Sequence, residues 1–395
     1  METSSHDATL LSNRMDAVQA PIIPIIGQLI RENPGTISLG QGVVHYGPPP
    51  AAMDAVRAAL DQPFVHGYGD GAGWAPLVAR ITRKLADENG IAAGAGYRVM
   101  VTAGANMAFM HAVLAVTHPG DEVILPLPFY FNHDMAIVMA GCTTVPVPTD
   151  ANYQLDLDAI RAAITPRTRA IVTVSPNNPS GAVLTPASLR ALNALCRERG
   201  LYHISDETYE YFTYGSATHV SPAALPGAPG HTIAIYSLSK AFGFAGWRIG
   251  YMAYPEHLAS GMIKSQDTIL ICPALASQAA ALAAMDVGRE YCAPHVRELA
   301  VIRELVIEQL STLAPLVRVP PAEGAFYCLV KVNADADPMA INERLVREHQ
   351  VAVVPGTAFG MNDGCYFRVA YGALQKATVA EGVGRLVAGL RQILG

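Results

Sequence analysis

From about residue 98 the chain repeats one pattern several times: a short apolar run, a turn of small or polar residues, then a stretch with helical spacing. The apolar runs fall at 99–102, 122–126, 170–174, 201–205 and 232–236. Strands alternating with helices predict an α/β fold with a mostly parallel sheet flanked by helices. Polar groups at the carboxyl ends of such strands face a ligand crevice, so the residues just after each run are where chemistry is expected. A chain of 395 residues exceeds one compact core and suits two domains sharing an interface.

The run at 232–236 leads into Ser237-Leu238-Ser239-Lys240-Ala241-Phe242-Gly243-Phe244-Ala245-Gly246-Trp247-Arg248-Ile249-Gly250-Tyr251. A solvated lysine is protonated and a poor nucleophile. One that is partly desolvated near another cation loses its proton and can form a Schiff base. Lys240, with Arg248 close in sequence, has that setting. Ser237, Ser239 and Arg248 offer the hydroxyl donors and the guanidinium fork that a phosphate dianion needs. Together they point to a carbonyl cofactor with a phosphate tail.

The pattern S-L-S-K-x-F-G-x-x-G-x-R-x-G-Y resembles the lysine signature of the class I/II aminotransferases, the fold-type-I, aspartate-aminotransferase-like enzymes that use pyridoxal 5'-phosphate. The resemblance extends from about residue 37 to residue 371. It implies a large domain over 51–285 carrying the sheet, and a small α/β domain built from both termini. Residues 1–50 form an arm and part of that small domain, and 286–395 form the rest. It also implies a homodimer with shared active sites.

Residue roles follow from the same resemblance. Gly42, after a strand expected over 36–42, would meet the substrate carboxylate through its main chain. Tyr68 would reach the neighbouring subunit's cofactor phosphate. Ala105 and Asn106 open a helix after the strand at 99–102, and backbone N–H groups at such a helix start suit phosphate in their own right. Tyr130 would stack on the cofactor ring. Asn178, in N-P-S-G, would hydrogen-bond its phenolic oxygen, as would Tyr209. Asp206, ending the run before it, would stay ionised against the pyridine nitrogen. Arg368 stands inside an apolar strand, where a charge costs free energy unless paired. A structural salt bridge and a substrate carboxylate are both suitable partners, and the resemblance selects the carboxylate. The activity implied is ping-pong transfer of an amino group from an amino acid to a 2-oxo acid. A lyase or decarboxylase on the same scaffold is the alternative.

One stretch departs from the family: 43–50, Val-Val-His-Tyr-Gly-Pro-Pro-Pro, replaces a Pro-Asp pair and an aromatic. His45 within it is assigned no role. Around 265–270 there is no arginine, only Lys264 nearby, so a neutral or aromatic donor is expected instead of a dicarboxylate. Lys+Arg 27 against Asp+Glu 33 gives no electrostatic footprint for nucleic acid or an anionic membrane. Six scattered cysteines without C-x-x-C pairing argue against a zinc site or a disulfide framework, and no metal is expected. The polar first residues and the Pro-broken run at 21–30 indicate neither a secretory signal nor a membrane span, so a soluble cytoplasmic protein is expected. Residues 1–20 read as a loose arm, Pro24 as opening a short helix to about residue 31, and 277–310 as largely helical.

Overall fold

The computed structural model describes residues 13–92 and 94–395. Thirteen strands are described: β1 Ile37–Ser38, β2 Tyr97–Thr102, β3 Glu122–Pro126, β4 Thr143–Val147, β5 Thr168–Val174, β6 Tyr202–Asp206, β7 Thr232–Ser237, β8 Gly250–Pro255, β9 Val317–Arg318, β10 Tyr327–Val332, β11 Val351–Ala352, β12 Val354–Pro355 and β13 Cys365–Ala370. Seven of them form the main sheet in the order β2-β8-β7-β6-β5-β3-β4. The pairs from β4 across to β7 are all parallel. β8 runs antiparallel to both β7 and β2. The sheet is therefore mostly parallel, with one reversed strand. That reversal follows from a short link, since 238–249 returns the chain through tight turns instead of a crossover helix.

Apart from the edge strand β4, the sheet is buried on both faces, as its β-branched runs require. Helix Ala105–Val116 packs between it and helix Ala259–Ile269, and is apolar nearly all round. On the other side, helix Leu275–Val287 presents buried Ala280, Ala281 and Ala284 to helix Pro50–Leu60. Small side chains let those two backbones approach closely.

The smaller sheet has the order β12-β13-β10-β9 and is antiparallel. β1 pairs in parallel with β11, Ile37 opposite Val351, and so ties the early chain to the late chain. The strand expected over 36–42 is only two residues long in this pairing. Gly40 and Gly42 lie beyond it, outside any strand. The helix expected from Pro24 opens at Ile22 and runs to Glu32, with Pro24 in its first turn, where a missing N–H costs little. The helical stretch expected over 277–310 is two helices, broken at Gly288, whose φ is +76°. Of the arm expected over 1–20, residues 1–12 lie outside the described residues, and Asn13–Asp16 form one helical turn. Among the described residues no helix is long and apolar enough to cross a membrane.

Candidate active site

The carboxyl ends of β2, β3, β5, β6 and β7 open onto one cavity of about 260 Å³. Its lining includes Gly42, Ala105, Asn106, Tyr130, Asn178, Asp206, Tyr209, Ser237, Ser239, Lys240, Arg248 and Arg368. Every site residue singled out from the sequence except Tyr68 is therefore brought together. Tyr68 stands 88% exposed on the surface of the single chain.

Lys240 sits in the four-residue helix Leu238–Ala241, capped by Ser237, whose hydroxyl accepts from the Ser239 N–H at 3.1 Å. Its Nζ donates to Gly42 O at 2.6 Å. Burial, and then the charges of Arg368 and Arg248, lower its pKa from 10.5 to about 8, while Asp206 pulls the other way. The free amine is thus available near neutral pH. An amine-reactive probe small enough for the cavity is expected to modify Lys240 of the cofactor-free chain with a midpoint near pH 8. A midpoint above about pH 10, the ordinary lysine range, would contradict this reading. The sign for stability follows: between pH 8 and 10.5 the unfolded chain holds this proton more firmly than the fold does. Lys240 therefore costs the cofactor-free fold stability below pH 8, and the cost fades as pH rises towards 10.5.

Arg248 closes the same turn in a left-handed conformation, φ +54°, with Nη1 donating to Ala245 O at 2.7 Å. Its guanidinium lies against Gly104, the residue before helix Ala105–Val116. A Cβ on Gly104 would come within 2.6 Å of Arg248 Nη2. A Cβ on Gly250 would meet Tyr236 O at 2.7 Å, Gly104 C at 2.8 Å and Ala105 N at 2.9 Å. Those contacts are backbone and cannot swing away. Gly250→Ala is expected to cost about 1–3 kcal/mol by overpacking and to weaken anion binding at this helix start. Denaturant unfolding checks it, and a loss under about 0.5 kcal/mol, the range of an ordinary surface change, would contradict the packing argument.

Asp206 ends β6 and is 5% exposed. Burial pushes its pKa up, but His133 and Thr208 more than offset this and hold the carboxyl below its usual range. His133 Nε2 lies 3.2 Å from Oδ2, and the Thr208 N–H donates to Oδ1 at 3.0 Å. The His133 ring is held by stacking on Phe109, with centroids 4.0 Å apart. His133 was not singled out from the sequence. It lies seven residues past the end of β3, in helix Phe131–Met139, with nothing local to link it to Asp206.

Arg368, on β13 opposite Leu329 and Val354, is 2% exposed. Its hydrogen bonds go to neutral acceptors: Nη1 to Asn178 Oδ1 at 2.9 Å and Nη2 to Gly40 O at 2.7 Å. Nε has no partner. The guanidinium carbon lies 4.8 Å from the centre of the Tyr327 ring and 5.0 Å from that of Phe359. Tyr327 also shares a 2.8 Å hydrogen bond with the Tyr209 hydroxyl, which receives a 3.4 Å bond from Asn178 Nδ2. A Cβ on Gly42 would touch the Tyr327 hydroxyl at 2.9 Å. Tyr327 thus organises the Arg368 side of the cavity, and it too escaped the sequence reading. Its only signal is a place in an apolar strand.

One end of the cavity therefore offers Arg248, two serines and a helix start without side-chain obstruction. Its middle holds a deprotonatable lysine and an ionised aspartate, and its far side holds a buried guanidinium with a donor to spare. This set fits a phosphate-bearing, carbonyl-reactive cofactor beside a carboxylate-bearing substrate.

The sequence profile of the family described as Aminotransferase class I and II matches residues 34–386. Aromatic aminotransferase ISS1 of Arabidopsis thaliana is 34% identical over 395 residues, covering 98% of this chain and 97% of that protein. An aspartate aminotransferase of Pyrococcus abyssi is 33% identical, covering 91% of this chain and 93% of its own. Among solved structures, a single mutant of Thermus thermophilus aspartate aminotransferase matches with a TM-score of 0.89 at 31% identity, covering 96% of this chain and 99% of that chain.

Proposed function

The chain belongs to the class I and II aminotransferases, and from that membership we propose that it takes amino groups from neutral or aromatic amino acids and passes them to 2-oxo acids, working as a homodimer. It is a pyridoxal-phosphate-dependent transaminase of the fold-type-I, aspartate-aminotransferase-like group. Bound pyridoxal 5'-phosphate supplies an electron sink for the charge left when the substrate α-carbon loses its proton.

The chain's own residues do the rest. Ser237, Ser239, Arg248 and the N–H groups at Ala105 and Asn106 would hold the phosphate, with Tyr68 of the partner subunit. Asp206, kept ionised by His133, would hold the proton on the ring nitrogen. Tyr130 would lie on the ring, and Asn178 and Tyr209 would bond its phenolic oxygen. Arg368 would grip the substrate carboxylate, with Gly42 beside it. Lys240 Nζ takes the α-proton and returns it, which its lowered pKa permits near neutral pH.

The observation that carries the reading is Arg368. It is a buried cation with neutral partners and an unpaired Nε, facing the same cavity as Lys240. The donor class rests on charge. Among the described lining residues the cations are Lys240, Arg248 and Arg368. Each is already engaged in this scheme, which leaves none for a second carboxylate. Ile23, Val43, Phe131 and Tyr327 add apolar and aromatic surface. Steady-state comparison of phenylalanine, leucine and methionine with aspartate tests it. Higher kcat/KM for any of the three is expected, and a clear preference for aspartate would overturn the assignment.

The dimer is supported by exposed apolar surface near Tyr68: Phe64 is 37%, Ile269 47% and Leu270 40% exposed. The division of the chain at about residues 51 and 286 is proposed on the same family footing. All six cysteines are free, which favours a reducing, cytoplasmic setting.

A further inference from the structure

We propose that His45, His295 and Glu298 form a binding site for a divalent transition metal of the zinc class, outside the catalytic cavity and joined to it by Tyr46. His295 and Glu298 lie three residues apart on helix Cys292–Ser311, a spacing that puts both on one face. His45 arrives from the other end of the chain, in the segment leading to helix Pro50–Leu60. One ligating atom from each of the three lies within 4.8 Å of the others. His45 Nε2 is 3.4 Å from Glu298 Oε2. Two ligands on a tetrahedral zinc with bonds of about 2.0–2.1 Å are separated by roughly 3.3 Å, so that edge is already formed.

The surroundings are those a ligating histidine needs. His45 Nδ1 faces Gly372 O at 3.4 Å, an arrangement that favours a proton on Nδ1 and leaves the Nε2 lone pair free. The His295 ring is clamped by stacking on Tyr46, with centroids 3.7 Å apart and planes 9° apart. Two imidazoles and one carboxylate suit zinc, whereas calcium and magnesium would call for oxygen ligands throughout. Glu298 is 41% exposed, so a fourth position can be filled from solvent.

The site is also placed to be felt by the catalytic lysine. The Tyr46 hydroxyl donates to Lys240 O at 2.9 Å, and Gly42, four residues earlier, accepts from Lys240 Nζ at 2.6 Å. A bound ion would pin this stretch to helix Cys292–Ser311.

Chelator-treated holoenzyme, titrated with Zn2+ by calorimetry and with Co2+ by its visible absorption, tests the proposal. One equivalent of Zn2+ is expected to bind, with a tetrahedral Co2+ spectrum. His45→Gln, His295→Gln and Glu298→Gln should each weaken binding more than about 10-fold, since even groups that merely support a ligand matter by 10–100-fold. His118→Gln, at an exposed histidine remote in sequence from the cluster, should change nothing. Glu298→Gln alters a half-exposed side chain, so it carries the test if His295→Gln loses its fold along with the Tyr46 stack. No binding by the wild type would leave a His45–Glu298 ion pair only. Binding that survives all three substitutions would place the metal elsewhere. Either result overturns the proposal.

Discussion

Lys240→Ala is expected to lower transamination by at least about 10³-fold, within the range that a positioned proton-transfer group contributes, while leaving the protein folded. The fold should tolerate it because the Lys240 side chain has one hydrogen bond, from Nζ to Gly42 O. Removing it also takes away a cation that burial and two arginines already disfavour. The helix that carries it is held by its Ser237 cap and by buried Leu238 and Ala241, which are untouched. Single-turnover formation of oxo acid, with circular dichroism as the control for folding, reads the effect directly. Turnover within about 10-fold of wild type, or 1.4 kcal/mol in barrier height, would remove Lys240 from the chemistry.

Arg368→Leu should reduce kcat/KM for amino acids by about 30-fold to several thousand-fold, the equivalent of the 2–5 kcal/mol that losing one partner of a buried charge pair costs. Most of the loss is expected in KM if the guanidinium grips ground state and transition state alike. A structural role would also lower activity, since Asn178 and Gly40 lose their donor. The two are separated by a donor amine that has no carboxylate. If Arg368 binds the substrate carboxylate, the variant should handle that amine as wild type does, within about threefold, or some 0.6 kcal/mol. An equal fall for both substrates would make Arg368 a structural residue.

What could be read from the sequence was local. Alternating apolar runs and turns mark five of the seven strands of the main sheet, missing β4 and β8, and the residues that follow β2, β3, β5, β6 and β7 do meet in one cavity, because a parallel sheet collects those ends on one edge. What was hidden depends on distance along the chain. His133 supports Asp206 from a helix that follows a different strand. Tyr327 lies between Arg368 and Tyr209 from the smaller sheet. The reversal of β8 hangs on how 238–249 turns, and apolar periodicity does not encode direction. His45 could be given no role while its partners His295 and Glu298 stood far away in sequence. Tyr68, exposed on the surface of the single chain, meets none of the other site residues there, so its proposed role cannot be read from one chain.

The most direct test is a stoichiometric one. Holoenzyme is mixed with phenylalanine alone, and the cofactor's visible band is followed while oxo acid, ammonia and carbon dioxide are measured. The account predicts that the band fades as one oxo acid appears per active site, that no ammonia or carbon dioxide is released, and that an added 2-oxo acid restores the band. A band that persists through turnover while ammonia or carbon dioxide accumulates would contradict it.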